Sequence, residues 1–96
     1  MINRSDLLKY RDQILTIAKR HGASDVRIFG SVARGDCVAT SDLDLIVRFE
    51  PERSLFDQGE LLLDLQDLLH IKVDVIDELG MKPRFREQAM KDAVSL

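Results

Sequence analysis

The sequence has one cysteine, no tryptophan and two prolines in 96 residues. Cys37 has no second thiol for an internal disulfide and cannot build a cysteine-rich zinc site, so a reducing compartment is the expected home. No apolar run approaches the roughly 20 residues that a membrane-spanning helix needs, and Met1-Ile-Asn-Arg-Ser-Asp6 turns charged at once, without an apolar signal core. A cytoplasmic protein with no membrane association is expected. Positive charge is also scarce, with 14 Lys plus Arg against 17 Asp plus Glu, a net charge of −3 and a pI near 5.3. No basic field exists to hold a nucleic-acid backbone, so stable nucleic-acid binding is not expected. Internal repeats, low-complexity stretches and linkers are absent as well.

What is present is the composition of a globular protein, 45% apolar and 32% charged. That is enough Leu, Ile and Val for one core and too little chain for two, so residues 1–96 are expected to form a single domain. Leu7, Leu8, Ile14, Leu15 and Ala18 recur at helical spacing, with Ser5 as a cap and Gly22 just past the end, which predicts a helix over about 5 to 21. Asp25-Val-Arg-Ile-Phe-Gly30 alternates only weakly but is β-branched and aromatic, and reads as a short strand. Leu43, Leu45, Val47 and Phe49 alternate with Asp42, Asp44 and Arg48, the clearest strand in the chain.

Ser54-Leu-Phe-Asp57 is a capping signal for a helix through Leu61, Leu62, Leu65, Leu68 and Leu69 that ends near His70. Ile71, Val73 and Val75 then share one strand face with Asp74 on the other. Pro83 suits the first turn of a terminal helix with Phe85, Ala89, Ala93 and Leu96 along one side. The order α-β-(loop or short helix)-β-α-β-α predicts an α/β (α+β) fold: a small three-stranded mixed sheet with helices packed on one face. The other face is left for chemistry.

The most informative run is Gly30-Ser31-Val32-Ala33-Arg34-Gly35, followed after five residues by Ser41-Asp42-Leu43-Asp44-Leu45. Gly30 ends a strand, and without a side chain it lets backbone NH groups and the Ser31 hydroxyl come close to a phosphate. Asp42 and Asp44 project from the same strand face, where their repulsion calls for hard cations such as Mg²⁺. Asp74 can join them from a neighbouring strand. An Asp-x-Asp pair is weak alone, because twelve aspartates in 96 residues produce such pairs by chance. Solvated aspartates at a strand end are the alternative reading. A P-loop fails because Asp36-Cys37 stands where Lys-Ser/Thr is required, and no GxGxxG follows a strand. An EF-hand fails for want of its loop glycine and distal Glu.

The combined pattern GSxARG-x5-SDxDL followed by a VDV strand resembles the minimal nucleotidyltransferases of the polymerase-β-like superfamily, and at this length the antitoxin partners of HEPN toxins. The resemblance covers essentially the whole chain. It implies a nucleotidyltransferase fold in which Gly30 and Ser31 hold the triphosphate of ATP. It also implies that Asp42 and Asp44 bind two Mg²⁺ ions, and that Asp74 shares a metal and activates the acceptor hydroxyl. Arg34 lies in the motif and is a further candidate for a phosphate contact. The resemblance further implies transfer of AMP to a tyrosine of a HEPN-type ribonuclease toxin encoded nearby, in a hetero-oligomer. Two other readings stay open: a binding module that neutralises its partner by masking it, and a small-molecule nucleotidyltransferase. Lys82, Arg84, Arg86 and Lys91 form a local basic patch, either a solvated helix face or a contact for phosphates or an acidic partner. His21 and His70 read as structural.

Overall fold

The computed structural model describes residues 4–30 and 43–96. The expected loop or short helix after Gly30, with Ser31, Arg34, Cys37 and Asp42, lies outside the described residues. Helices α1 (Arg4–Lys9) and α2 (Arg11–Arg20) lead into β1 (Ala23–Phe29). Strand β2 (Leu43–Phe49), helix α3 (Leu55–Leu69) and β3 (Val73–Asp77) follow, then a 3-10 turn (Glu78–Gly80), helix α4 (Pro83–Asp92) and β4 (Val94–Ser95).

The expected mixed α+β class stands, but among the described residues the sheet has four strands rather than three, in the order β3-β2-β1-β4. Strand β2 pairs parallel to β3 and antiparallel to β1, and β4 pairs antiparallel to β1. The extra strand takes the place of the last turn expected of the terminal helix. Ala93 turns extended at φ −73° and ψ 143°, Val94 pairs with Ile28, and the Leu96 N–H donates to the Val26 carbonyl at 3.0 Å. A two-residue strand is too short to show periodicity, whereas its backbone groups satisfy an open edge of β1.

The first helix is likewise interrupted. Tyr10 adopts φ −100° and ψ 3°, and its N–H donates to the Leu7 carbonyl at 3.0 Å, a tightened i→i−3 turn between α1 and α2. Ser5 lies inside α1 rather than capping it. Leu7 and Ile14 are fully buried on either side of the break, while Leu8 is exposed.

One core holds these elements together. Leu43, Leu45, Val47 and Phe49 of β2, with Val73 and Val75 of β3, meet Ile14 and Ala18 of α2 and Leu61, Leu65 and Leu69 of α3. Each of the Leu, Ile, Val and Phe side chains among them contributes about 1.5–3 kcal/mol by leaving water. Strand β1 joins through Ala23, Val26 and Ile28, whose spacing of three then two explains its weak alternation. The register slips between Ser24 and Arg27, and Asp25 takes up the extra residue at φ +51°. This bulge returns Val26 and Ile28 to the core face that Ala23 already occupies.

Helix α3 begins in the expected capping box. The Phe56 N–H donates to Ser54 Oγ at 3.2 Å, and the Ser54 N–H donates to Asp57 Oδ2 at 2.9 Å. That backbone donor, with Arg53 beside it, holds the Asp57 carboxyl below its ordinary value. Along the outer edge of β3, Gln66 Oε1 accepts from the Val73 N–H at 3.1 Å and Gln58 Nε2 donates to the Val75 carbonyl at 2.7 Å. Helix α3 thus supplies hydrogen bonds where a further strand would.

Helices α2 and α3 cover the core face as expected, and side chains of the opposite face reach α4 instead. Arg27 approaches Met90 Sδ at 4.0 Å and donates to Glu78 Oε1 at 3.2 Å. Glu78, only 3% exposed, also accepts from Arg48 Nε at 2.9 Å and pairs with Arg86 Nη2 at 3.4 Å. Burial alone would push this carboxyl up, but the hydrogen bonds and charges of Arg48 and Arg86 outweigh it and hold the group below its ordinary value.

The linkage to stability has one sign. Charged Glu78 stabilises the fold fully above its ordinary value of 4.5, and that contribution is lost as pH falls through its lowered value. Glu78→Gln should cost about 1–3 kcal/mol at pH 7, discounted because its arginine partners are partly exposed. Urea unfolding at pH 7 and at pH 3 checks this. The gap between wild type and variant should shrink at the lower pH.

Candidate active site

The parallel pairing of β2 with β3 places Leu43 opposite Val73, Asp44 opposite Asp74 and Leu45 opposite Val75. Because the odd positions of both strands enter the core, Asp44 and Asp74 face the other way together. Strand neighbours lie about 4.8 Å apart, so two carboxylates stand side by side on one sheet face. Asp44 is half-buried and Asp74 is exposed, which leaves the pair open to a ligand. On the other side of Asp44, the antiparallel register sets Phe29 of β1 opposite it. The row across the sheet therefore reads Phe29, Asp44, Asp74.

Gly30 follows Phe29 directly and turns the chain at φ +81°, in the region where L side chains are strained. Its backbone passes close to Asp44, since a Cβ at position 30 would lie 2.6 Å from Asp44 Oδ2. Of the six residues assigned to the site from sequence, Gly30, Asp44 and Asp74 are thus together at one end of the sheet. Ser31, Arg34 and Asp42 fall outside the described residues.

Two adjacent carboxylates on one sheet face suit a hard divalent cation, which takes oxygen ligands and offsets their repulsion. Among the described residues no group of three or more His, Cys, Asp or Glu is close enough to hold a metal ion. The donor set in view is therefore Asp44 and Asp74.

The chain belongs to the nucleotidyltransferase domain family. The family model for that domain matches residues 11–96. "Putative protein adenylyltransferase MJ0435" of Methanocaldococcus jannaschii is 33% identical over 84 residues, covering 88% of this chain and 90% of that protein. Protein adenylyltransferase MntA of Thermococcus cleftensis is 31% identical over 78 residues, covering 81% of this chain and 79% of its relative. A solved structure described as a "putative minimal nucleotidyltransferase" superposes with a TM-score of 0.90 at 45% identity, over 99% of this chain and 97% of the other. A toxin–antitoxin crystal structure with AMP-PNP shares the fold at a TM-score of 0.76 and 20% identity, over 88% of this chain and 69% of that one. The protein is accordingly a transferase of the nucleotidyltransferase type.

Other residues singled out from sequence have structural places. His21 Nε2 lies 2.6 Å from Asp64 Oδ2 and Nδ1 lies 3.8 Å from Glu60 Oε2, which ties the end of α2 to α3. His70 ends α3 in the left-handed conformation at φ 55°. Within the basic patch, Arg86 is engaged by Glu78 while Lys82, Arg84 and Lys91 stay exposed. Phe85, expected on the packed side of its helix, is 55% exposed, and Ala89 one turn later is the buried residue. No helix of the described residues is long and apolar enough to cross a membrane.

Sequence reasoning missed the approach of Gly30 to Asp44 and the place of Phe29 beside the carboxylates. Both follow from the β1–β2 register, which the bulge at Asp25 obscures. If the carboxylate pair takes Mg²⁺, millimolar MgCl₂ should raise the melting temperature by about 5 °C. Asp44→Asn/Asp74→Asn should lose that rise, as read by scanning calorimetry with and without EDTA.

Proposed function

We propose that this protein transfers AMP from ATP to a tyrosine hydroxyl of a HEPN-type toxin and so acts as its antitoxin. The observation that carries the reading is the register of Asp44 opposite Asp74 with Gly30 close to Asp44, in a chain of the nucleotidyltransferase family. Relatives named as protein adenylyltransferases support a protein acceptor, and a toxin–antitoxin neighbour with AMP-PNP supports a nucleotide donor and a toxin partner. We take residues 1–96 as one domain working in the cytoplasm within a hetero-oligomer.

In this reading Asp42, Asp44 and Asp74 hold two Mg²⁺ ions, and Gly30, Ser31 and Arg34 receive the triphosphate. The cations would supply charge neutralisation at the phosphate oxygens and lower the pKa of the acceptor hydroxyl. The acceptor oxygen forms a bond to the α-phosphorus, the bond from that phosphorus to the pyrophosphate oxygen breaks, and pyrophosphate leaves. Asp74, exposed at the site, takes the hydroxyl proton as general base. The backbone at Gly30 leaves room for the phosphates at the strand end. Catalysis then rests on placement and charge rather than on a covalent enzyme intermediate.

The test is transfer of label from α-labelled and γ-labelled ATP, with Mg²⁺, to the product of a neighbouring gene. Label should be retained from the α position only, the acceptor should gain the mass of AMP on tyrosine, and Asp42→Asn/Asp44→Asn should reduce transfer at least about 100-fold. A partner bound and silenced without any label would replace this reading with masking. Label on a small acceptor without protein would replace it with small-molecule transfer.

A further inference from the structure

Gly30 has been read so far as part of a phosphate cradle, a role that any small flexible residue at a strand end could share. Its surroundings are more demanding. A Cβ built on Gly30 would sit 2.6 Å from Asp44 Oδ2, but 3.5 Å from Asp44 Cγ and 3.7 Å from Asp44 Cβ. Only the carboxylate oxygen is in the way; the rest of the aspartate is at ordinary contact distance. An oxygen at the end of a side chain moves easily by rotation about its χ angles, while the β1–β2 ladder that pairs Phe29 with Asp44 does not. A methyl group at position 30 would therefore be accommodated by turning the Asp44 carboxylate away from its present position.

We infer that Gly30 is a positioning residue for the Asp44 carboxylate: its bare Cα leaves the space that this oxygen occupies. This rests on the reading of Asp44 and Asp74 as cation ligands, and it assigns Gly30 a part in cation binding that precedes any contact with nucleotide. The left-handed backbone and the missing Cβ serve one end. The chain must turn sharply at the end of β1, and it turns with a hydrogen atom directed at the carboxylate. Displacing a metal-ligand oxygen is costly for affinity even when the fold is intact, since changes in the groups that orient ligands typically cost 10–100-fold.

The experiment measures Mn²⁺ binding to the protein free of nucleotide, by the loss of the free-ion electron paramagnetic resonance signal. Wild type, Gly30→Ala and Gly22→Ala are compared, with melting temperatures measured alongside. Gly22 is the control for backbone strain, because it also has a positive φ of +76° but faces the Arg53 side chain. Gly30→Ala is expected to weaken Mn²⁺ binding about tenfold or more while Gly22→Ala leaves it unchanged. Unaltered Mn²⁺ affinity in a folded Gly30→Ala, with only ATP binding impaired, would overturn the inference and return Gly30 to the phosphate cradle alone. An equal loss of Mn²⁺ affinity in both variants would overturn it too, by assigning the effect to backbone strain.

If Gly30→Ala does not fold, or if wild type itself binds no Mn²⁺, the double variant Gly30→Ala/Asp44→Ala decides. Recovery of at least about 4 °C in melting temperature over Gly30→Ala supports the steric relation, and no recovery overturns it. Absence of Mn²⁺ binding in wild type would separately remove the cation reading of Asp44 and Asp74.

Discussion

The parallel pairing of β2 with β3 is the constraint on which the rest depends. Leu43, Leu45 and Val47 have almost no exposed surface, so the odd face of β2 is committed to the core and its even face to the opposite side. Once Val73 and Val75 make the same commitment from β3, Asp44 and Asp74 must stand next to each other. A slip of one residue in either strand would bury a carboxylate and expose a valine or leucine, at a cost of several kcal/mol for the charge alone. The hydrophobic core therefore sets the distance between the two acidic groups, and no contact between them is needed to do so.

The same sheet face carries two opposite electrostatic arrangements. At the start of β2 and β3 two carboxylates are brought together. Four residues along β2, about 13 Å away, Arg48 meets Glu78 with Arg27 and Arg86, so that one buried carboxylate gathers three guanidinium groups. Both are concentrations of like charge, and in the second the buried Glu78 carboxylate is the counter-ion that binds them. The arginine cluster joins β1, β2, the 3-10 turn and α4, and it is a structural joint. Of the acidic pair at the other end, Asp74 is exposed and Asp44 half-buried.

Much of this was legible in the sequence where the signal was local. The alternation of Leu43 to Phe49, the capping box at Ser54 and the end of α3 at His70 all depend on neighbours within a few residues, and each lies where the pattern put it. Period-two burial on two strands put Asp44 and Asp74 on the same sheet face, while the pairing of β2 with β3 that makes them neighbours is a long-range fact that no local pattern carries. What escaped depends on groups distant in sequence or on breaks in period. The bulge at Asp25 hid which face Arg27 and Phe29 occupy, and β4 is too short to have a period. The Glu78 network joins residues 27, 48 and 86, which no sequence window spans together. The closeness of Gly30 to Asp44 appears only when the antiparallel register is known.

The two glutamines of α3 bear on the company the protein keeps. Strand β3 is an outer strand of the sheet, and a bare edge of that kind invites another chain to add itself as a further strand. Gln66 occupies the Val73 N–H and Gln58 the Val75 carbonyl, so two outward-facing backbone groups on the strand that carries Asp74 are already taken. Another polypeptide approaching this edge is thereby discouraged from zippering onto it as β-structure. It meets side chains instead, and the acidic strand stays in its own sheet rather than becoming the seed of an aggregate.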